Sequence, residues 1–284
     1  MSILAAELGP DDLVLSHFTL GRQHPIDDRV EAARTAGFAA IGLSVAEVAR
    51  LVGTGTDLGA LADLIGAAGL CLADIEAIKG WGGGPDQGSR ADLEENAWRM
   101  ADRLGGRCLQ AIGPFSGDPV DGARAFADLC DRAADHGLDV ALEALPFTNI
   151  PNTVAALEIV ERADRPNGGL CIDIWHHSRS GEDRTALERL DPVLIKNVQL
   201  SDGPIRPPTD DLADYKDDCL RHRVPPGEGQ MDAVGFVGAL LRAGTTVPWS
   251  IEVCNEGAWD RPGSAHAARC ATASRRVLER ARAL

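Results

Sequence analysis

The chain alternates eight times between short apolar, β-rich runs and longer segments whose apolar residues recur at helical spacing. The runs fall at 13–19, 38–44, 70–78, 107–113, 138–145, 169–175, 193–200 and 248–254. The helical segments fall roughly at 26–36, 57–68, 91–105, 119–136, 153–164, 183–190, 231–243 and 263–283. Asp118-Pro119 supplies a capping residue and a first-turn proline. Gly37, Gly69 and Gly137 each stand at a helix-to-strand joint, as C-terminal caps do. Eight β/α units in 284 residues, with no break in composition, predict one domain over 1–284, a closed (β/α)8 TIM barrel. A doubly wound open sheet would place a glycine-rich phosphate loop after its first strand, and LGRQHP follows here instead. GTGTDLG (53–59) has the wrong spacing and position for such a loop. WGGGPDQGS (81–89) follows the third strand, on the face where it would cover a site. The longest non-repeating stretch, 202–230, is an insert after the seventh strand and a candidate lid.

Within this frame Glu143, Asp173, Gln199 and Glu252 sit late in the fifth, sixth, seventh and eighth apolar runs. A buried strand gains nothing from a carboxylate at its end, because an unpaired buried charge is costly. In a barrel of this kind functional groups cluster where the strands end. Three carboxylates there repel one another unless a cation neutralises them. All-oxygen donors favour Mg²⁺ or Mn²⁺ over Zn²⁺, which prefers His and Cys. One divalent ion held by Glu143, Asp173, Gln199 and Glu252, with positions left for two substrate oxygens, is therefore expected.

Composition narrows the partners. Forty-three acidic against 28 basic residues give a formal charge of −15, which disfavours nucleic acid and anionic membrane surfaces. No apolar stretch approaches the ~20 residues needed to span a bilayer. MSILAAELGPDD has no basic segment ahead of its short apolar run, so a secretory signal is not expected. Seven cysteines without a CxxC pair point to a reducing compartment, and a cytoplasmic location is expected.

ALEALP, DIWHH, VQLSD, PGEG and SIEV, in this order, resemble the sugar phosphate isomerase/epimerase superfamily, the xylose-isomerase-like TIM barrels. The resemblance covers most of the chain, with its specific motifs in 140–255. It implies a metal held by Glu, Asp, His and Glu from the last four strands. Glu143, Asp173 and Glu252 match; Gln199 stands where most members carry His, as in a branch resembling 3-dehydroshikimate dehydratases. The resemblance further implies that Glu143 and Glu252 act as acid and base on opposite faces of the substrate carbon, by way of a metal-bound carbonyl and an enediolate. His176 matches the family's D-x-x-H pattern and is expected to bind substrate or to protonate a departing hydroxyl. Arg206 resembles the substrate-contacting arginine, a clamp for carboxylate or phosphate. Asp202 resembles an aspartate that orients the ligand set from outside it. Glu228, in PGEG, fits the motif without an evident role.

Outside those motifs, His17 and Glu76 lie late in the first and third runs and are candidates to face the substrate. Trp175 packs the barrel or lid, or walls the pocket. His222 and Arg223 lie in the insert and reach the site only if the insert closes over it. The leading expectation is a metal-dependent isomerase or epimerase of a small polyhydroxylated ketone or aldehyde. Its near rival is a dehydratase of a cyclic hydroxy-ketone such as 3-dehydroshikimate or inosose. More distant rivals are a non-catalytic binding protein and an endonuclease-IV-like nuclease. The nuclease is opposed by the absence of histidine between His24 and His136.

Overall fold

A computed structural model describes residues 5–84, 87–205 and 211–284. Eight parallel strands close into a barrel in sequence order. They are β1 (Leu13–Leu15), β2 (Ala40–Ser44), β3 (Cys71–Ile78), β4 (Cys108–Ile112), β5 (Asp139–Glu143), β6 (Gly168–Asp173), β7 (Ile195–Leu200) and β8 (Trp249–Ile251). The ring closes where Val14 of β1 registers with both Ala40 of β2 and Ser250 of β8. Around it run α1 (His17–Leu20), α2 (Ile26–Ala36), α3 (Val45–Gly53), α4 (Leu58–Ala67), α5 (Arg90–Leu104), α6 (Pro119–Ala134), α7 (Thr153–Ala163), α8 (Ile174–Ser180), α9 (Leu212–Arg221), α10 (Ala233–Ala243) and α11 (Gly263–Arg282).

Strand side chains alternate in direction, and the sequence uses the two faces differently. Outward residues such as Ile41, Leu72, Leu109, Val140, Ile172, Val198 and Trp249 join the helices in the main apolar core. Inward positions carry small or polar groups. Cys108, Ala141 and Cys171 form one interior cluster, and Val14, Ala40 and Ala73 contribute to another. At the end opposite the site, the Arg107 guanidinium lies 3.3 Å from the Asp74 carboxylate, giving that buried charge a counter-ion. Gly42 is required by close approach: a Cβ there would collide with the Glu76 carboxylate.

Helix starts fall where the sequence provides caps. Asp118 and Asp121 form a capping box around Pro119. Gly37, Gly69 and Gly137 all adopt positive φ after their helices. Two strands, β1 and β6, stop short of the apolar runs that announce them for one reason. Ser16 accepts from Phe18 N and Asp173 from His176 N, so each begins a helix where the run continues. His17 thus opens α1 instead of closing a strand, and Trp175 belongs to α8. The expected helix at 183–190 is a 3₁₀ turn, Arg184–Arg189. The second interval carries α3 in addition to the expected α4.

The insert after β7 is not structureless: it contains α9. Its two ends are joined by an antiparallel bridge, with Asp202 N donating to Val224 O and Val224 N to Asp202 O, both at 2.9 Å. The Asp202 carboxylate accepts from Gly203 N, Gly227 N and Met231 N, which holds the PGEG turn against the end of β7. No helix among the described residues is long and apolar enough to cross a membrane.

Candidate active site

Glu143 is the last residue of β5, Asp173 the last of β6, Gln199 the last but one of β7, and Glu252 follows β8 directly. Register brings Asp173 beside Gln199. All four are buried. The ligand atoms of Glu143, Asp173 and His176 lie within 4.8 Å of one another. His176 Nε2 is 3.4 Å from Glu143 Oε1. His176 reaches the cluster because Asp173 caps α8, whose first turn carries the imidazole back over the strand ends.

Arg223 completes the cluster. Its Nη1 donates to Asp173 Oδ2 at 2.8 Å and to Glu252 Oε2 at 2.9 Å, and its Nη2 to Cys219 Sγ at 3.2 Å. The backbone around it is fixed from two sides. Val224 pairs with Asp202, Arg223 N donates to Cys254 O, and Asn255 Nδ2 donates to Arg223 O. Trp175 lies between two guanidiniums, Arg179 at 4.9 Å and Arg223 at 5.2 Å from its ring. Arg179 pairs with Asp218 at 2.7 Å, which ties α9 to α8.

Burial sets the protonation of this group. It raises Glu143, reinforced by the charges of Glu252 and Asp173. It raises Glu252 to about 7, against the attraction of Arg223. Burial also opposes the charge on Asp173, but Arg223 and His176, with the hydrogen bonds they donate, together outweigh it and hold that carboxyl below its ordinary range. Burial lowers His176 to about 3, so its imidazole is neutral.

A divalent cation fits this donor chemistry. Crowded carboxylates of which two are pushed toward protonation are relieved by a positive charge among them. Two details differ from the expected all-oxygen set. His176 lies inside the cluster, and Gln199 turns its amide nitrogen toward Glu252, donating at 3.0 Å, while its oxygen accepts from Cys171 and Gln110.

The remaining candidates separate. Glu76 is fully buried within the field of Glu252, accepting from Ser16 Oγ at 3.0 Å and His17 N at 3.4 Å. His17 turns its ring to Arg29, whose guanidinium in turn meets Glu47; burial and Arg29 lower it to about 4. Trp175 is buried behind His176. Arg206 lies outside the described residues. Glu228 faces Arg269 on α11, away from the cluster. Gln110 stands in the site without having been singled out for it, and Arg223, expected there only if the insert closes over the site, is there too. Arg223 carries a signal, a basic residue shortly before PGEG, but only the Asp202–Val224 pairing reveals that it points inward.

Residues 30–278 match the family described as xylose isomerase-like TIM barrel, and the chain belongs to that family. It is 33% identical over 162 residues to a 3-dehydroshikimate dehydratase of Pseudomonas aeruginosa, a match covering 56% of this chain and 25% of that one. The chain therefore spans about a quarter of that relative's length. It is 28% identical over 246 residues to a putative hydroxypyruvate isomerase of Streptomyces coelicolor, covering 78% of this chain and 82% of the other. Among solved structures, the IOLI protein with a binding zinc atom superposes with a TM-score of 0.84 at 18% identity, over 94% of this chain and 98% of that one.

Proposed function

We propose that this chain is a divalent-metal-dependent isomerase or epimerase of a small polyhydroxylated ketone or aldehyde. The observation that carries the reading is the convergence of Glu143 and Glu252, with Asp173 and Arg223, in one buried cluster at the strand ends. Glu143, Asp173, Gln199 and Glu252 would hold the ion, Mn²⁺ or Mg²⁺ by their oxygen-rich character. When bound, it would stabilise the negative charge that develops on a substrate carbonyl oxygen.

The protein's own groups supply the proton transfers. A carboxylate whose proton affinity is raised toward neutrality suits removal of a proton from the carbon beside a carbonyl. Burial pushes Glu252 in that direction, to about 7 before a cation joins the cluster. Glu143, in the same cluster, would return the proton to the other face or to the neighbouring carbon. His176, neutral, would hold a substrate hydroxyl. Arg223, with a guanidinium built into the site, would fix a substrate oxygen, the role expected of Arg206. Trp175 would back His176. Small sugar-like substrates of the named relatives agree with this reading, and the charge of −15 opposes DNA. Seven free thiols support a reducing, cytoplasmic setting.

The test is hydrogen–deuterium exchange at the carbon beside the carbonyl, followed by NMR in D₂O with Mn²⁺- or Mg²⁺-loaded protein. Substrates would be a panel of ketoses, hydroxypyruvate and inosose. Exchange in the wild type, reduced about 10²–10⁴-fold in E143Q and E252Q, is expected. Absence of exchange with every member would end the proposal. A dehydratase is the second reading, favoured by the 33% identity to a 3-dehydroshikimate dehydratase. It predicts ultraviolet absorbance from a conjugated product with 3-dehydroshikimate.

A further inference from the structure

Glu252 stands one residue past the end of β8. Its carboxylate is held by Gln199 at 3.0 Å and by Arg223 at 2.9 Å. Its backbone is held on the β7 side, where Glu252 N donates to Leu200 O at 3.0 Å. On the β1 side the ladder stops. Ser16 N still donates to Ile251 O at 3.1 Å, but Ser16 then turns the chain into α1. A continuing parallel ladder would offer a β1 carbonyl to Val253 N. Here Ser16 O accepts from Thr19 N instead, at 3.2 Å.

The Thr19 hydroxyl fills that place. Its Oγ1 accepts from Val253 N at 3.0 Å and donates to Ile251 O at 2.6 Å. One atom thus ties down the residues immediately before and after Glu252. Thr19 and Val253 are both fully buried, so the Val253 N–H has no solvent to turn to. The turn that carries Thr19 is fixed at its own start. Glu76 accepts from Ser16 Oγ at 3.0 Å and from His17 N at 3.4 Å, and it passes over β2 at Gly42, where a Cβ would collide with it.

We infer that Thr19 is a positioning residue for Glu252. It touches no substrate and acts through the backbone, setting the direction in which the Glu252 side chain leaves the barrel rim. The inference rests on the proton-transfer role proposed for Glu252.

The experiment compares wild type, T19V, T19S, E252Q and T19V/E252Q in the exchange assay, with ketoses, hydroxypyruvate and inosose. Valine keeps the branched shape of threonine and leaves Val253 N without its acceptor; serine keeps the hydroxyl. Exchange at saturating substrate should fall about 10–100-fold in T19V, the scale of a small misplacement of a reacting group. KM should change little, and T19S should restore the rate. T19V/E252Q should be no slower than E252Q, because the hydroxyl acts only through that carboxylate. Calorimetry on EDTA-stripped protein gives a readout apart from activity: Mn²⁺ affinity should fall about 10-fold in T19V and recover in T19S. Should T19V fail to fold, T19A decides by the same criteria. A folded variant that exchanges and binds Mn²⁺ as wild type does overturns the inference and leaves the role of Glu252 standing. Equal slowing in the wild-type and E252Q backgrounds also overturns it, since the hydroxyl would then serve the fold alone. A wild type that exchanges with no member of the panel overturns both.

Discussion

Replacing Arg223 with Met takes the guanidinium from Asp173 and Glu252 while keeping much of its volume. Removing one partner of a buried ion pair costs about 3–5 kcal/mol, because the other charge is stranded. The stranded group is chiefly Asp173. Glu252 already sits at about 7 and sheds its charge by taking up a proton. Asp173 is held below its ordinary range by Arg223 against the effect of burial, so removing Arg223 lets burial raise it. A group with a depressed folded pKa contributes stability above its unfolded value; one with a raised folded pKa removes stability as pH rises. The loss in R223M should therefore grow from pH 5.5 to pH 8. At about 2–3 °C per kcal/mol for a chain of this size, the fall in Tm at pH 8 is about 6–15 °C. Calorimetry in EDTA measures it. On the proposed metal site, Mn²⁺ at about a thousand times its Kd would return about 4 kcal/mol. A Tm within about 2 °C of wild type at pH 8, or a deficit that shrinks as pH rises, would refute the reasoning.

Two further substitutions test the scaffold. Glu182 accepts from Thr153 N at 2.9 Å and Val154 N at 3.2 Å at the start of α7. Burial opposes its charge, but His177 and the Thr153 amide win and hold it at about 2. E182Q should cost ~1–2 kcal/mol in urea unfolding at pH 7. The gap should close as pH falls from about 4.5 toward 2, where the wild-type carboxylate is lost. A gap unchanged at pH 3.5 would deny Glu182 that role. G42A drives a methyl into the Glu76 carboxylate and should cost about 1–3 kcal/mol, relieved when E76A is added. Equal losses in the single and double variants would contradict the packing.

The barrel was legible because its evidence is periodic. Apolar runs, glycine caps after α2, α4 and α6, and the Asp118 capping box each act locally and repeat. Glu143, Asp173, Gln199 and Glu252 stood out because a polar residue near the end of an apolar run is anomalous by itself. Arg223 and Gln110 were less legible for different reasons. Arg223 depends on a bridge between residues 22 apart, and nothing local says that 202 and 224 meet. Gln110 sits inside a strand run, where an amide looks like one more tolerated polar residue until its neighbours are known. The strands that stop at Ser16 and Asp173 end short of their apolar runs. There a cap competes with the β propensity of the next few residues, and the cap wins.

The Asp202–Val224 bridge has a consequence for how this chain tolerates change. It brings the stem of the insert together, so the stretch between forms a closed loop hung from a fixed point. Doubling such a loop adds only about 0.6 kcal/mol of closure entropy. Residues added ahead of α9 would thus cost little, whereas replacing α9 itself would take Asp218 from Arg179 and Cys219 from Arg223. The stem anchors Arg223 from below, so its guanidinium would stay in register. A library built ahead of α9 would therefore vary the insert while leaving in place the groups that steady the acids.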